Sequence, residues 1–182
     1  MGQLKTRPRK TVDDYMKLPE GVRAELIEGE ILKSPSPKTR HQRRVLNITV
    51  ALREFVEGRG LGHVFVAPLD VHLPSRDVVQ PDVLVVFKAN EPIIQDWIRG
   101  VPDLVVEVIS PDNSERDLLV KRRIYAQNGI PEYWLVDGES LSVEVLKLVG
   151  DRYDSFGYFE MGETVTSAQL AGLAIPLRQV FE

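Results

Sequence analysis

The chain contains no cysteine. That excludes disulfides, thiolate zinc sites and a cysteine nucleophile. It also fits a reducing compartment, so a cytoplasmic location is expected. Long hydrophobic runs are missing too. No stretch approaches the ~20 apolar residues that span a bilayer, and no membrane association is expected. The basic residues Lys5, Arg7, Arg9 and Lys10 have no apolar run behind them, which excludes a secretory signal. There is no excess of positive charge: 23 Lys and Arg stand against 27 Asp and Glu, a net charge of -4. Dedicated nucleic-acid binders usually show a basic domain, so overall charge does not point to one. Only three histidines are present, and His63 and His72 have no metal-ligand partner at a useful spacing.

What is present is an ordinary globular composition, 43% hydrophobic and 27% charged over 182 residues. That suits one domain over 1–182 with a real core, and residues 1–10 are expected to form a flexible tail. Positive charge does gather locally, in Lys38, Arg40, Arg43 and Arg44 and again in Arg116, Lys121, Arg122 and Arg123.

Local patterns divide the chain. Thr11 caps a brief helix, with Asp14 in place of the usual Glu of a capping box. Two short strands flank Gly29. Val45, Ile48, Leu52, Phe55 and Val56 recur at helical spacing and predict a helix over 39–57 that stops near Gly58. Val64 to Val66 and Asp70 to Leu73 read as strands in a hairpin or meander around Pro68. Val83 to Phe87 and Leu104 to Ile109 read as buried strands. Between them, Lys88 to Gly100 reads as a surface connection with a helical turn around Trp97. Ser110 to Ser114 reads as a turn ending on a helix cap. A helix over 115–127 follows, closed by Asn128-Gly129 with Pro131 beyond. Tyr133 to Val136 is a third buried strand, and Leu141 to Leu148 pairs with Arg152 to Phe159. Strand, helix and strand over 104–136 predict a crossover connection. The expected architecture is α/β: a mixed central sheet flanked by helices, with additional antiparallel hairpins.

Two carboxylates carry the chemistry. Asp82 immediately precedes the Val83 run, and Glu107 interrupts the apolar run Leu104 to Ile109. A charge inside a buried strand is costly unless it is paired or bound to a metal. Two of them in one small domain suggest a shared divalent-cation site, with the Val108 carbonyl as a further hard oxygen. Such a site suits phosphodiester chemistry, which needs a cation, an oriented water and stabilisation of phosphate charge. A lysine near the attacking water is usually wanted, and Lys121 is the candidate. Asp117, Lys121 and Tyr125 are spaced four apart and share one helix face, which could lean back over the sheet.

The order Gln80-Pro81-Asp82, Glu107-Val108-Ile109-Ser110-Pro111, Asp117, Lys121, Tyr125 and Gly129 to Asp137, with Glu25 to Glu30, Ser34 to Pro37 and His41 upstream, resembles a large bacterial family of restriction-endonuclease-like proteins. That family lies within the PD-(D/E)XK nuclease superfamily. The resemblance runs from about Thr11 to Phe181. It implies a restriction-endonuclease-like core, Mg²⁺ (with Mn²⁺ as a possible substitute) and hydrolysis of DNA. It also implies Asp82 and Glu107 as metal ligands, Lys121 as a displaced catalytic lysine, Glu25 as an auxiliary acid and His41 as a neighbour of the site. The chain departs from the superfamily pattern at Ile109, where a lysine is usual. Enzymes that cut both strands often act as symmetric pairs, so a homodimer through the 141–159 hairpin is expected. The alternative is a nucleic-acid-binding or regulatory module that keeps the fold and cleaves nothing. What separates the two is whether Lys121 reaches the carboxylates.

Overall fold

The computed structural model describes residues 8–109 and 115–182; in the helix that opens the second stretch, side chains are described from Leu118 onward. The expected turn and cap over Ser110 to Ser114 and the side chain of Asp117 therefore lie outside the described residues, as does most of the expected tail. Its end does not hang free: Lys10 N donates to the Gly29 carbonyl at 2.7 Å.

Helix α1 (Val12–Tyr15) opens on the predicted capping box, with Thr11 and Asp14 exchanging backbone-to-side-chain hydrogen bonds of 3.1 and 3.2 Å. Strands β1 (Ala24–Ile27) and β2 (Glu30–Lys33) form a hairpin. Its two-residue turn needs positive φ at both positions, which Glu28 at 51° and Gly29 at 81° supply. Helix α2 (Thr39–Val56) buries Val45, Ile48, Leu52 and Val56. It ends two residues ahead of the expected stop at Gly58, which is small for another reason: a Cβ there would stand 2.3 Å from the Glu54 carbonyl.

Strands β3 (Gly62–Val66), β4 (Val71–His72), β5 (Val78–Val79), β6 (Val83–Phe87), β7 (Ile98–Arg99) and β8 (Leu104–Ile109) follow. Then come α3 (Glu115–Gln127), β9 (Glu132–Asp137), β10 (Ser142–Val149), β11 (Arg152–Phe159), β12 (Thr164–Val165), β13 (Ile175–Pro176) and α4 (Leu177–Phe181). The large sheet runs β11-β10-β9-β8-β6-β3 and a second runs β2-β1-β5-β4-β7. β8 and β9 pair in parallel, joined by α3 as the predicted crossover, and the other pairs of the large sheet are antiparallel.

Two local expectations are corrected. The strands on either side of Pro68 make no hairpin: β3 pairs with β6 in the large sheet, whereas β4 pairs with β5 and β7 in the second. The chain changes sheets there, and the alternation of so short a segment does not reveal its partner. The turn expected around Trp97 is instead a 3₁₀ turn at Lys88–Ile93, and the residues after Trp97 form β7.

Each face of the large sheet has its own core. Val83, Val85, Val106 and Trp134 pack against Ile48 and Leu52 of α2 and Leu177 of α4. Leu84, Val86, Val105 and Tyr133 pack against Ile124 and Tyr125 of α3 and against Val71 and Val79 of the second sheet. Full burial of each such side chain contributes roughly 1.5–3 kcal/mol. These layers fix α3 over one face and α2 over the other. Among the described residues, no helix is long and apolar enough to cross a membrane.

Candidate functional site

The register of β6 against β8 explains why two carboxylates 25 positions apart meet. Val83 lies opposite Val106, Leu84 opposite Val105 and Val85 opposite Leu104. Continuing that register one step places Asp82 across from Glu107. Alternation along β8 turns Val105 and Glu107 towards α3. A hydrogen bond of 2.8 Å from Val108 N to Asp82 Oδ2 closes the strand ends.

Helix α3 completes the face. Lys121 and Tyr125, one turn apart, both reach Glu107: Lys121 Nζ lies 2.9 Å from Oε1, and the Tyr125 hydroxyl donates to the same oxygen at 2.6 Å. Lys121 Nζ also lies 2.9 Å from Glu25 Oε1 on β1. That oxygen accepts from Gln80 N at 2.8 Å. Gln80-Pro81-Asp82 is the segment that leaves the second sheet after β5 and enters the large sheet at β6, so the site sits at the seam between the sheets. From the start of α2, His41 Nε2 approaches Asp82 Oδ2 at 3.2 Å, while its Nδ1 is buried with no hydrogen-bond partner among the described residues.

Electrostatics follow from that crowding. Burial pushes the Glu107 carboxyl up to about 7; Lys121 pulls against this, and Asp82 and Glu25 push with it. Burial alone would discharge Lys121, but Glu107 and Glu25 outweigh it and hold the ammonium charged, with its pKa raised. Burial raises the Tyr125 hydroxyl well above its usual range, so it stays a donor. The hydrogen bond to Asp82 raises the His41 pKa against the effect of burial.

The structure thus brings together Asp82, Glu107, Glu25, Lys121, Tyr125 and His41, six of the residues singled out in the sequence. Lys121 reaches Glu107 and Glu25 and, among the described residues, makes no ion pair with Asp82. Among the described residues, no three His, Asp or Glu side chains form a group that could hold a metal ion as they stand. His63 and His72 are elsewhere: His63 faces Glu91 at 3.1 Å, and His72 packs beside Trp97.

Sequence reasoning missed a supporting network. Asp70 Oδ1 accepts from the Gln80 side chain at 2.8 Å and from the Tyr15 hydroxyl at 2.9 Å. It ties α1 to the segment that delivers Asp82. The only available signal was an acid opening a strand. A second omission is Glu132, wholly buried on β9; its period-2 spacing to Trp134 placed both on one face.

Comparison with known proteins bears on the family and the fold. The family described as "Putative restriction endonuclease" (Uma2) matches residues 12–178. The chain belongs to the Uma2 family. A solved structure described as "a putative nuclease belonging to DUF820 from Anabaena variabilis ATCC 29413" resembles it with a TM-score of 0.80 at 22% identity, over 94% of this chain and 97% of that one. The Uma2 chain therefore shares the fold of that protein. The DrdV–DNA complex, seen by cryo-electron microscopy, gives a TM-score of 0.41 at 15% identity over 79% of this chain and 13% of that one, a likeness too loose to carry an argument. A search of curated proteins returns no match.

Proposed function

We propose that this Uma2 chain is a divalent-metal-dependent endonuclease that hydrolyses DNA phosphodiester bonds. The supporting observation is the convergence of Asp82, Glu107 and Glu25 on one seam beside a buried, charged lysine. The donor set fits a hard cation: the carboxylates of Asp82 and Glu107 and the Val108 carbonyl are oxygens, and there is no soft sulfur ligand. Asp82, Glu107 and Glu25 gather around a single ammonium that pairs with two of them, and this surplus of carboxylates is the electrostatic condition that favours Mg²⁺, or Mn²⁺ in its place. When bound, such an ion polarises the phosphate and lowers the pKa of a water.

The side chains supply the rest. An ammonium has three donors. Lys121 uses two on Glu25 and Glu107, leaving one to orient the attacking water or to meet charge developing on a phosphate oxygen. Gln80 N fixes Glu25, Tyr125 fixes Glu107, and His41 with Val108 N fixes Asp82. Asp117 belongs to the same proposal only by its place on α3. Cutting both strands calls for two such centres. We place the pairing of two chains at the edge strand β11, where Phe156 and Tyr158 are exposed. A cytoplasmic setting suits a chain without cysteine.

The test is cleavage of supercoiled and linear DNA with Mg²⁺ by wild type and by Asp82→Ala, with circular dichroism to confirm folding. Metal-dependent cleavage that vanishes in a folded variant supports the assignment, and unchanged cleavage by Asp82→Ala rejects it.

A further inference from the structure

A cleft of about 450 Å³ lies beside the start of α2, lined by Arg40, Arg43 and Arg44 with Gly138, Phe181 and Glu182. It is separate from the carboxylate seam, and the chemistry proposed above makes no use of it. At 3.6 residues per turn the three arginines fall within ~100° of arc on the helix, a single basic stripe. None of the ion pairs among the described residues engages these guanidiniums. Glu182 is the sole carboxylate among the lining side chains.

One arginine is already set in place. Arg44 Nη2 donates to the Gly138 carbonyl at 2.9 Å, and its guanidinium lies 5.6 Å from the centre of the Phe181 ring. A Cβ on residue 138 would stand 1.7 Å from Arg44 Nη1, so the glycine leaves room for the guanidinium. Arg40 and Arg43 are exposed. The same first turn of α2 carries His41 to Asp82.

We propose that this cleft binds a backbone phosphate of a DNA strand, flanking the phosphate held at the carboxylate seam. The inference rests on the nuclease reading and deepens it. Guanidiniums present planar, forked donors that match phosphate oxygens. A chain with net charge -4 needs such a local positive stripe to hold a polyanion. The contact positions the strand and reads no base.

The experiment measures duplex DNA binding by fluorescence anisotropy without divalent metal, across a salt series, for wild type and Arg40→Gln/Arg43→Gln. Losing the two guanidiniums that hold this phosphate should weaken binding about 10-fold or more and reduce the slope of log affinity against log salt by about 1. Arg40→Lys/Arg43→Lys should restore most of the binding. Arg53→Gln, whose partner on the same helix is Glu57, should bind as wild type. Binding and slope unchanged in the Gln pair, or no DNA binding by wild type, would overturn the proposal. Displacement of DNA by inorganic phosphate at equal phosphate concentration would overturn the strand assignment in favour of a small free anion. Wild type that binds through the arginines but never cleaves would end the nuclease reading and leave this one standing. Cleavage with the Gln pair binding as wild type would do the reverse.

Discussion

Glu107 on β8 and Glu132 on β9 are both buried in the same sheet, 4% and 0% exposed, and burial raises the pKa of both. They face opposite sides. Glu132 accepts from Trp134 Nε1 at 2.5 Å, Ser167 Oγ at 3.0 Å and Gln169 N at 2.7 Å. All three donors are neutral, and together they tie β9 to the chain just after β12. Glu107 is held by Lys121, which it shares with Glu25, and it stands opposite Asp82. Neutral donors around one carboxylate make an anchor. Two carboxylates sharing one ammonium, with Asp82 beside them, leave a surplus of negative charge that a divalent cation can satisfy. Burial alone therefore does not separate a structural acid from a candidate ligand; the charge of the neighbours does.

The strongest way to break this contrast is to remove the carboxylates. Asp82→Ala or Glu107→Gln should cut Mg²⁺-dependent cleavage by about a hundred- to a thousandfold, read as kcat/KM on a defined duplex. Glu132→Gln should leave the activity of folded protein unchanged. Lys121→Met sharpens the contrast further. It should lower kcat by roughly a hundredfold while divalent-cation binding, followed by calorimetry, persists, because the site then holds more uncompensated negative charge. His41→Ala removes only a support of Asp82 and should cost about 10-fold or somewhat more in metal affinity or activity.

Protonation gives a subtler distinction. With its pKa raised to about 7, native Glu107 holds a proton that the unfolded chain releases near 4.5. Between those values the native state binds more protons, so its contribution to stability falls as pH rises. A cation must displace that proton. Its affinity should therefore climb up to about tenfold per pH unit below pH 7 and level off above it. Glu107→Gln should abolish the climb, and Glu132→Gln should leave it intact. The smallest expected effect is on the anchor itself. Glu132→Gln turns an amide towards donors and should destabilise by about 1–3 kcal/mol, measured as a lower midpoint in thermal unfolding.

Much of the site was legible because strand alternation and helix spacing are short-range rules. Val83 to Phe87 and Leu104 to Ile109 declared themselves as buried strands, so Asp82 and Glu107 stood out as charges at their ends. The four-residue step from Lys121 to Tyr125 put both on one face of α3. Pairing between distant segments was not legible. β4, β5 and β7 have two residues each, too few to show a period, so the change of sheet at Pro68 and the strand after Trp97 escaped notice. Glu132 escaped because its partners Ser167 and Gln169 lie 35 and 37 positions away. Glu25 and His41 entered through a family resemblance, and the fold shows how they reach the seam: β1 and α2 approach it from opposite layers.

The most direct test of the account is Mg²⁺ and Mn²⁺ binding by isothermal titration calorimetry on wild type, Asp82→Ala, Glu107→Gln and Glu132→Gln. The account predicts binding by wild type and Glu132→Gln, and its loss in the other two while they remain folded. No binding by folded wild type, or equal binding by all four proteins, would contradict it.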